Sequence, residues 1–90
     1  MGMERRHSDI LTSRLETVMD EGCAHVLFSE LYRWYGTKKL AARTWRDLEE
    51  RWQEISEGES GALHKIKGAG GLFLLAGDRM GLISDDAGEE

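Results

Sequence analysis

Lys38, Lys39, Arg43 and Arg46 are the residues of this sequence whose types and spacing best suit a binding chemistry. With Arg33 they make five basic side chains and no acid between positions 33 and 46. The whole chain carries −5, so everything outside that window carries −10. Ammonium and guanidinium groups gathered in this way attract phosphates, and an arginine can read guanine through two parallel hydrogen bonds. Lys65 and Lys67 lie two positions apart, so on an extended strand they share one face and add a second cationic element. The competing reading is a solvated helix face. Arg43–Asp47, Arg46–Glu50 and Asp47–Arg51 are all four residues apart and could pair along a helix.

The other groups capable of chemistry carry less. Trp45 and Trp52 are seven apart, on one helical face, and are expected in the core rather than stacked on bases. Trp34 with Tyr32 is the open case, because an exposed aromatic pair there would mark a partner surface. Cys23 and His25 bring two metal-capable groups together, but zinc needs about four ligands and His7 and His64 complete no recognisable spacing. Nothing in the sequence orients that pair for nucleophilic catalysis. Gly68-Ala69-Gly70-Gly71 lacks both the Lys-Ser/Thr of a phosphate loop and a helix after it, and reads as a hairpin turn. The expectation is a protein without enzymatic activity, metal or cofactor.

Apolar spacing predicts the elements that must position the cations. Ser8 is a suitable N-cap, Asp9 suits a first turn, and Leu11, Leu15, Val18 and Met19 fall on one face. They predict a first helix over roughly 9–21, stopped by Gly22. Val26-Leu27-Phe28 forms a brief extended lead-in to a short helix over roughly 30–35, capped by Ser29, with Phe28 stapled onto it and Leu31, Trp34 and Tyr35 facing inward. Gly36 ends it. Thr37 caps a third helix over roughly 39–55, whose stripe is Trp45, Leu48, Trp52 and Ile55. Leu31, Trp45, Leu48 and Trp52 are expected to be buried. Beyond a polar loop, residues 63–67 and 72–76 predict two strands around the glycine turn, and Met80, Leu82 and Ile83 are expected to pack back onto the domain.

Ninety residues make one domain with a thin core. A hydrophobic share of 40% and a charged share of 32% exclude both a disordered chain and a membrane-embedded one. No stretch approaches the roughly 18 apolar residues of a spanning helix. The single cysteine, Cys23, cannot form an internal disulfide, and the charged start lacks the apolar core of a signal peptide, so a reducing cytoplasm is expected. The organisation expected is a disordered N-terminus over 1–8, a folded domain over 9–83 and a disordered acidic tail over 84–90.

The order helix, extended lead-in, short helix, glycine turn, longer helix, glycine-turned hairpin resembles a winged helix-turn-helix domain. The stretch Phe28-Ser-Glu-Leu-Tyr-Arg-Trp-Tyr-Gly36-Thr-Lys-Lys-Leu-Ala-Ala-Arg-Thr-Trp45-Arg-Asp-Leu48 carries the resemblance. Leu31 and Tyr35 stand as inner residues of the first helix of the motif, Gly36 as its turn, and Ala42 and Trp45 as inner residues of the second. Residues 63–76 stand as the wing. The resemblance covers most of residues 9–77 and implies a mainly α, α+β fold of three helices and a C-terminal hairpin. It implies double-stranded DNA as partner, in a small transcriptional regulator or accessory factor of a prokaryote or mobile element. Lys38, Lys39, Arg43, Arg46, Lys65 and Lys67 would then contact the nucleic acid. The alternative is a protein-interaction module, an acidic adaptor or an inhibitor of a nucleic-acid-binding protein, with a protein partner or a second copy of the chain. Winged helices serve both uses, so the fold alone does not decide.

Overall fold

The computed structural model describes residues 3–81 and 83–86. Helix α1 spans Arg5–Glu21 and buries Leu11, Leu15 and Val18, the stripe that the spacing predicts. It ends at Gly22, whose N–H donates to the Val18 carbonyl at 2.7 Å. The Arg79 guanidinium donates to the carbonyls of Met19 (3.0 Å) and Asp20 (3.4 Å), placing a cation at the negative end of the helix. The helix starts four residues before the expected position 9, within the stretch expected to be disordered. Ser8 lies inside it, and its hydroxyl accepts from Arg51 Nη1 at 2.9 Å instead of capping.

Strand β1, Cys23–Leu27, alternates outward and inward, with Ala24 and Val26 buried. Helix α2, Phe28–Tyr35, follows without a break. Its N-cap is therefore Leu27 and not Ser29, and Phe28 lies inside the helix rather than before it. Glu30 makes this start workable, because its carboxylate accepts the Leu27 N–H at 3.0 Å. The same carboxylate takes two hydrogen bonds from Arg14 on α1, at 3.0 and 2.7 Å. The Arg14 hydrogen bonds hold the Glu30 carboxyl below its ordinary value, despite the opposing effect of burial. A depressed carboxylate contributes stability that is present above its unfolded-state value, near 4.5, and is lost as pH falls through the folded value. Glu30→Gln should therefore cost about 1 kcal/mol at pH 7 and flatten the acid limb of the stability profile. Urea titrations between pH 3 and 7 would show it. A Gln variant with the wild-type profile would remove Glu30 from the acid response.

Gly36, at φ 62, ends α2 in the left-handed region. Helix α3, Ala42–Ser56, begins three residues later than expected. The Thr37 hydroxyl does not cap it. It accepts the Lys39 N–H at 3.4 Å and donates to the Lys39 carbonyl at 2.9 Å, so residues 37–41 form a local turn. The inward face of α3 carries Thr44, Leu48, Trp52 and Ser56. The Ser56 hydroxyl is buried and has no hydrogen-bond partner among the described residues. Ser56→Ala should raise stability by about 0.5–1 kcal/mol, because alanine removes an unsatisfied group and favours helix. That corresponds to a thermal midpoint higher by about 2–8 °C for a domain of this size. A lower midpoint would mean that the hydroxyl has a partner.

Strands β2, Leu63–Lys67, and β3, Gly71–Ala76, form the expected hairpin, with β3 starting one residue early. β3 also pairs with β1, Ala24 opposite Leu74 and Val26 opposite Leu72, giving an antiparallel sheet in the order β1-β3-β2. Gly71 permits this pairing, since a Cβ there would overlap the Val26 carbonyl oxygen. The fold is thus α+β, three longer helices against a three-stranded antiparallel sheet.

The core joins Leu11, Leu15 and Val18 of α1, Leu31 and Trp34 of α2, Leu48 and Trp52 of α3, and Leu72 and Leu74 of β3. Leu31, Leu48 and Trp52 are buried as expected. Trp45 is not: it is half-buried at the core edge, one helical step beyond the Thr44–Leu48–Trp52 face. Trp34 is core, 4% exposed, which removes the aromatic partner surface considered for it. Met80 and Ile83 do not pack back, being 52% and 86% exposed, and Leu82 lies outside the described residues. A single helical turn, α4, spans Ile83–Asp86, from the last residue of the expected domain into the expected tail, and residues 87–90 lie outside the described ones.

Candidate nucleic-acid interface

All six cations singled out in the sequence, Lys38, Lys39, Arg43, Arg46, Lys65 and Lys67, are exposed. Their carriers differ from expectation in one respect. Lys38 sits in the connection before α3, as expected, and Lys39 lies there too rather than opening the helix, while Arg43 and Arg46 occupy its first two turns. The loss of the Thr37 cap accounts for the change, since the helix has no signal to begin before Ala41.

Of the three pairs that a solvated helix face would use, only Asp47–Arg51 forms, at 2.7 Å. Arg43 and Arg46 make no ion pair among the described residues, and neither do the four lysines. Pairing with Arg51 takes up Asp47, which also accepts the Tyr35 hydroxyl at 2.6 Å. Burial, and after it the hydrogen bond and charge of Asp47, push the Tyr35 phenol far above its ordinary value, so it remains a donor at every physiological pH. Through Ser8, Tyr35, Asp47 and Arg51 this network ties the first turn of α1 and the middle of α3 to the end of α2. The Asp47–Arg51 spacing is readable in the sequence. The contributions of Tyr35 and Ser8 are not, because they depend on long-range packing.

Tyr35, Asp47 and Arg51 of this network line an open cleft of about 770 Å³ between α1, α2 and α3. Arg33, from the last turn of α2, lines it with Arg43 and Arg46. Arg33 belongs to the basic window and was not among the residues expected at the site; it joins them only when α2 lies beside α3. Glu50 lines the same cleft and is exposed, which confines the cationic part of α3 to its first half.

On the other side of α3 the hairpin contributes its lysines. Lys65 Nζ is 4.8 Å and Lys67 Nζ 5.5 Å from the centre of the Trp45 ring. The structure therefore gathers Lys65 and Lys67 at Trp45 on one side of α3 and Arg33, Arg43 and Arg46 at the cleft on the other, while Lys38 and Lys39 precede the helix.

The remaining candidates stay apart from this surface. Cys23 is an exposed free thiol, and His25 packs against the Phe73 ring on the outer face of the sheet. Among the described residues no group of three or more His, Cys, Asp or Glu side chains is placed to hold a metal ion. The glycine turn closes the hairpin, the Gly68 N–H donating to the Gly71 carbonyl at 2.8 Å. No helix among the described residues is long and apolar enough to cross a membrane. No protein-family model, curated protein or solved structure matches this chain.

Proposed function

We propose that this protein is a small, non-enzymatic DNA-binding domain of winged helix-turn-helix type, a transcriptional regulator or accessory factor that presents α3 and the β2–β3 hairpin to a duplex. The observation that carries the reading is that six exposed cations, none ion-paired among the described residues, lie on α3, on the turn before it and on β2. The order α1-β1-α2-α3-β2-β3, with the hairpin paired to β1, supports it. In this arrangement the N-terminal half of α3 meets the groove, Arg43 and Arg46 reach base edges or phosphates, and the lysines contact backbone on either side. The acids nearest these cations, Glu4, Asp47 and Glu50, line the cleft beside Arg43 and Arg46, and Asp47 is paired with Arg51.

A mobility shift on random-sequence duplex tests the reading. Binding should be clear at about 50 mM salt and, with about six phosphate contacts, should weaken by about a thousandfold at 200 mM. Absence of binding at the lower salt would reject it.

The second reading, a protein-interaction module, draws on a different face. Leu27, Ile66 and Phe73 lie on the outer side of the sheet, His25 and Ile66 in register with Phe73, and are 43%, 58% and 47% exposed. Sedimentation of the full chain, together with capture of a partner by wild type but not by Ile66→Lys/Phe73→Lys, would favour this reading over the first.

A further inference from the structure

Lys65 and Lys67 occupy an unusual position for charged residues. Their cross-strand partners are Leu74 and Leu72, which are core residues, so both lysines start out on the inner face of the sheet. They remain exposed because β2 is an edge strand, where the side chains extend past the rim of the core. Both ammonium groups come to rest over one aromatic ring, that of Trp45, at 4.8 and 5.5 Å from its centre. Trp45 belongs to α3 and immediately precedes Arg46. The indole attracts each ammonium, but the two like charges over one ring repel one another, and neither is ion-paired among the described residues. A single anion between them would relieve that repulsion.

We propose that Trp45 holds Lys65 and Lys67 together as a seat for one phosphate group of the DNA backbone, and so positions the wing beside α3. The inference rests on the DNA-binding reading above. A lysine stem in water loses rotamer freedom when it meets a phosphate. Side chains whose ammonium groups are already held over Trp45 have lost part of that freedom, so the wing meets the duplex pre-organised. Leucine would fill a similar place at the core edge but offers no electron-rich face, so packing and positioning can be separated. Trp45 is a positioning residue here; the lysines make the contact.

The test uses the full chain and a random-sequence duplex at about 100 mM salt. Trp45→Leu should weaken binding about three- to tenfold, and Trp45→Phe should restore most of the loss. Lys65→Met with Lys67→Met should lower the slope of log affinity against log salt by about one, because the pair serves a single phosphate. In that double-methionine background Trp45→Leu should have no further effect, since its whole role passes through the lysines. In the free protein, the Lys65 and Lys67 ε-methylene protons should be shifted upfield by the ring current in wild type and not in Trp45→Leu. An equal loss from Trp45→Leu with and without the lysines would show a purely structural tryptophan and overturn the proposal, as would unshifted lysine protons in wild type. Wild type that binds no duplex would overturn the DNA reading itself, a result distinct from a duplex bound with no coupling between Trp45 and the lysines.

Discussion

Trp52→Ala should destabilise the domain by about 3–5 kcal/mol, enough to leave much of it unfolded at physiological temperature. Trp52 is 0% exposed and is the largest fully buried side chain in the molecule. It belongs to the core cluster that joins α3 to the other helices and to β3, so its loss opens a cavity in that core. It also has a polar role. The indole N–H donates to the Gly61 carbonyl at 2.9 Å, fixing the loop that delivers the chain into β2. Truncation thus removes both the packing and the partner of a carbonyl. Trp52→Phe separates the two, keeping most of the packing and losing only the donor, for an expected cost of about 1–2 kcal/mol. Thermal and urea unfolding followed by circular dichroism would measure both. An unchanged midpoint for Trp52→Ala would contradict the packing described above. A phenylalanine variant as unstable as the alanine one would shift the weight from the cavity to the hydrogen bond.

Trp52 was legible in the sequence because helical periodicity reports a buried face over a long run. The same signal located Leu11, Leu15, Val18 and Leu48. It failed at Trp45, which shares the stripe but lies at its margin, where the hairpin and not the core supplies the neighbour. Periodicity gives a direction around a helix and says nothing about which element stands there. β1 was only partly visible for a related reason. A five-residue strand is fixed by the partner that satisfies its backbone, and that partner, β3, lies almost fifty residues away. The helix starts were misplaced where a hydroxyl that could cap was engaged elsewhere: Ser8 with Arg51, Thr37 within its own turn. At the candidate site the cations were readable as composition. Arg43 is left without its candidate partner because Asp47 is held by Arg51 and Tyr35, and the tyrosine half of that arrangement is a tertiary contact.

Combining Lys38→Glu, Arg43→Glu and Arg46→Glu should abolish duplex binding at about 50 mM salt while leaving the fold intact. Each position is exposed, and none of the three makes an ion pair or a side-chain hydrogen bond among the described residues, so reversal should cost stability little. Electrostatically the change is severe: three attractive contacts become repulsive ones on the surface that would face the phosphates. Losing three contacts alone would lower the salt slope by about 2.7, and the added repulsion should take affinity down by well over a hundredfold. Single changes divide the surface further. Neutralising Lys38 should weaken binding on every sequence and reduce the slope by about one, as for a backbone contact. Neutralising Arg43 or Arg46, if either reads a base, should cost about 1–3 kcal/mol on a preferred site and much less on random duplex. Circular dichroism and the unfolding midpoint would establish that the triple variant is folded. A folded triple variant that still binds duplex would place the contact surface elsewhere on the molecule. The outer sheet face carries no lysine or arginine among Cys23, His25, Leu27, His64, Ile66, Phe73 and Leu75, so it could not take over that role. A wild type that binds nothing while the sheet-face variants lose a protein partner would instead make the cations a solubilising rim and the apolar sheet the working surface.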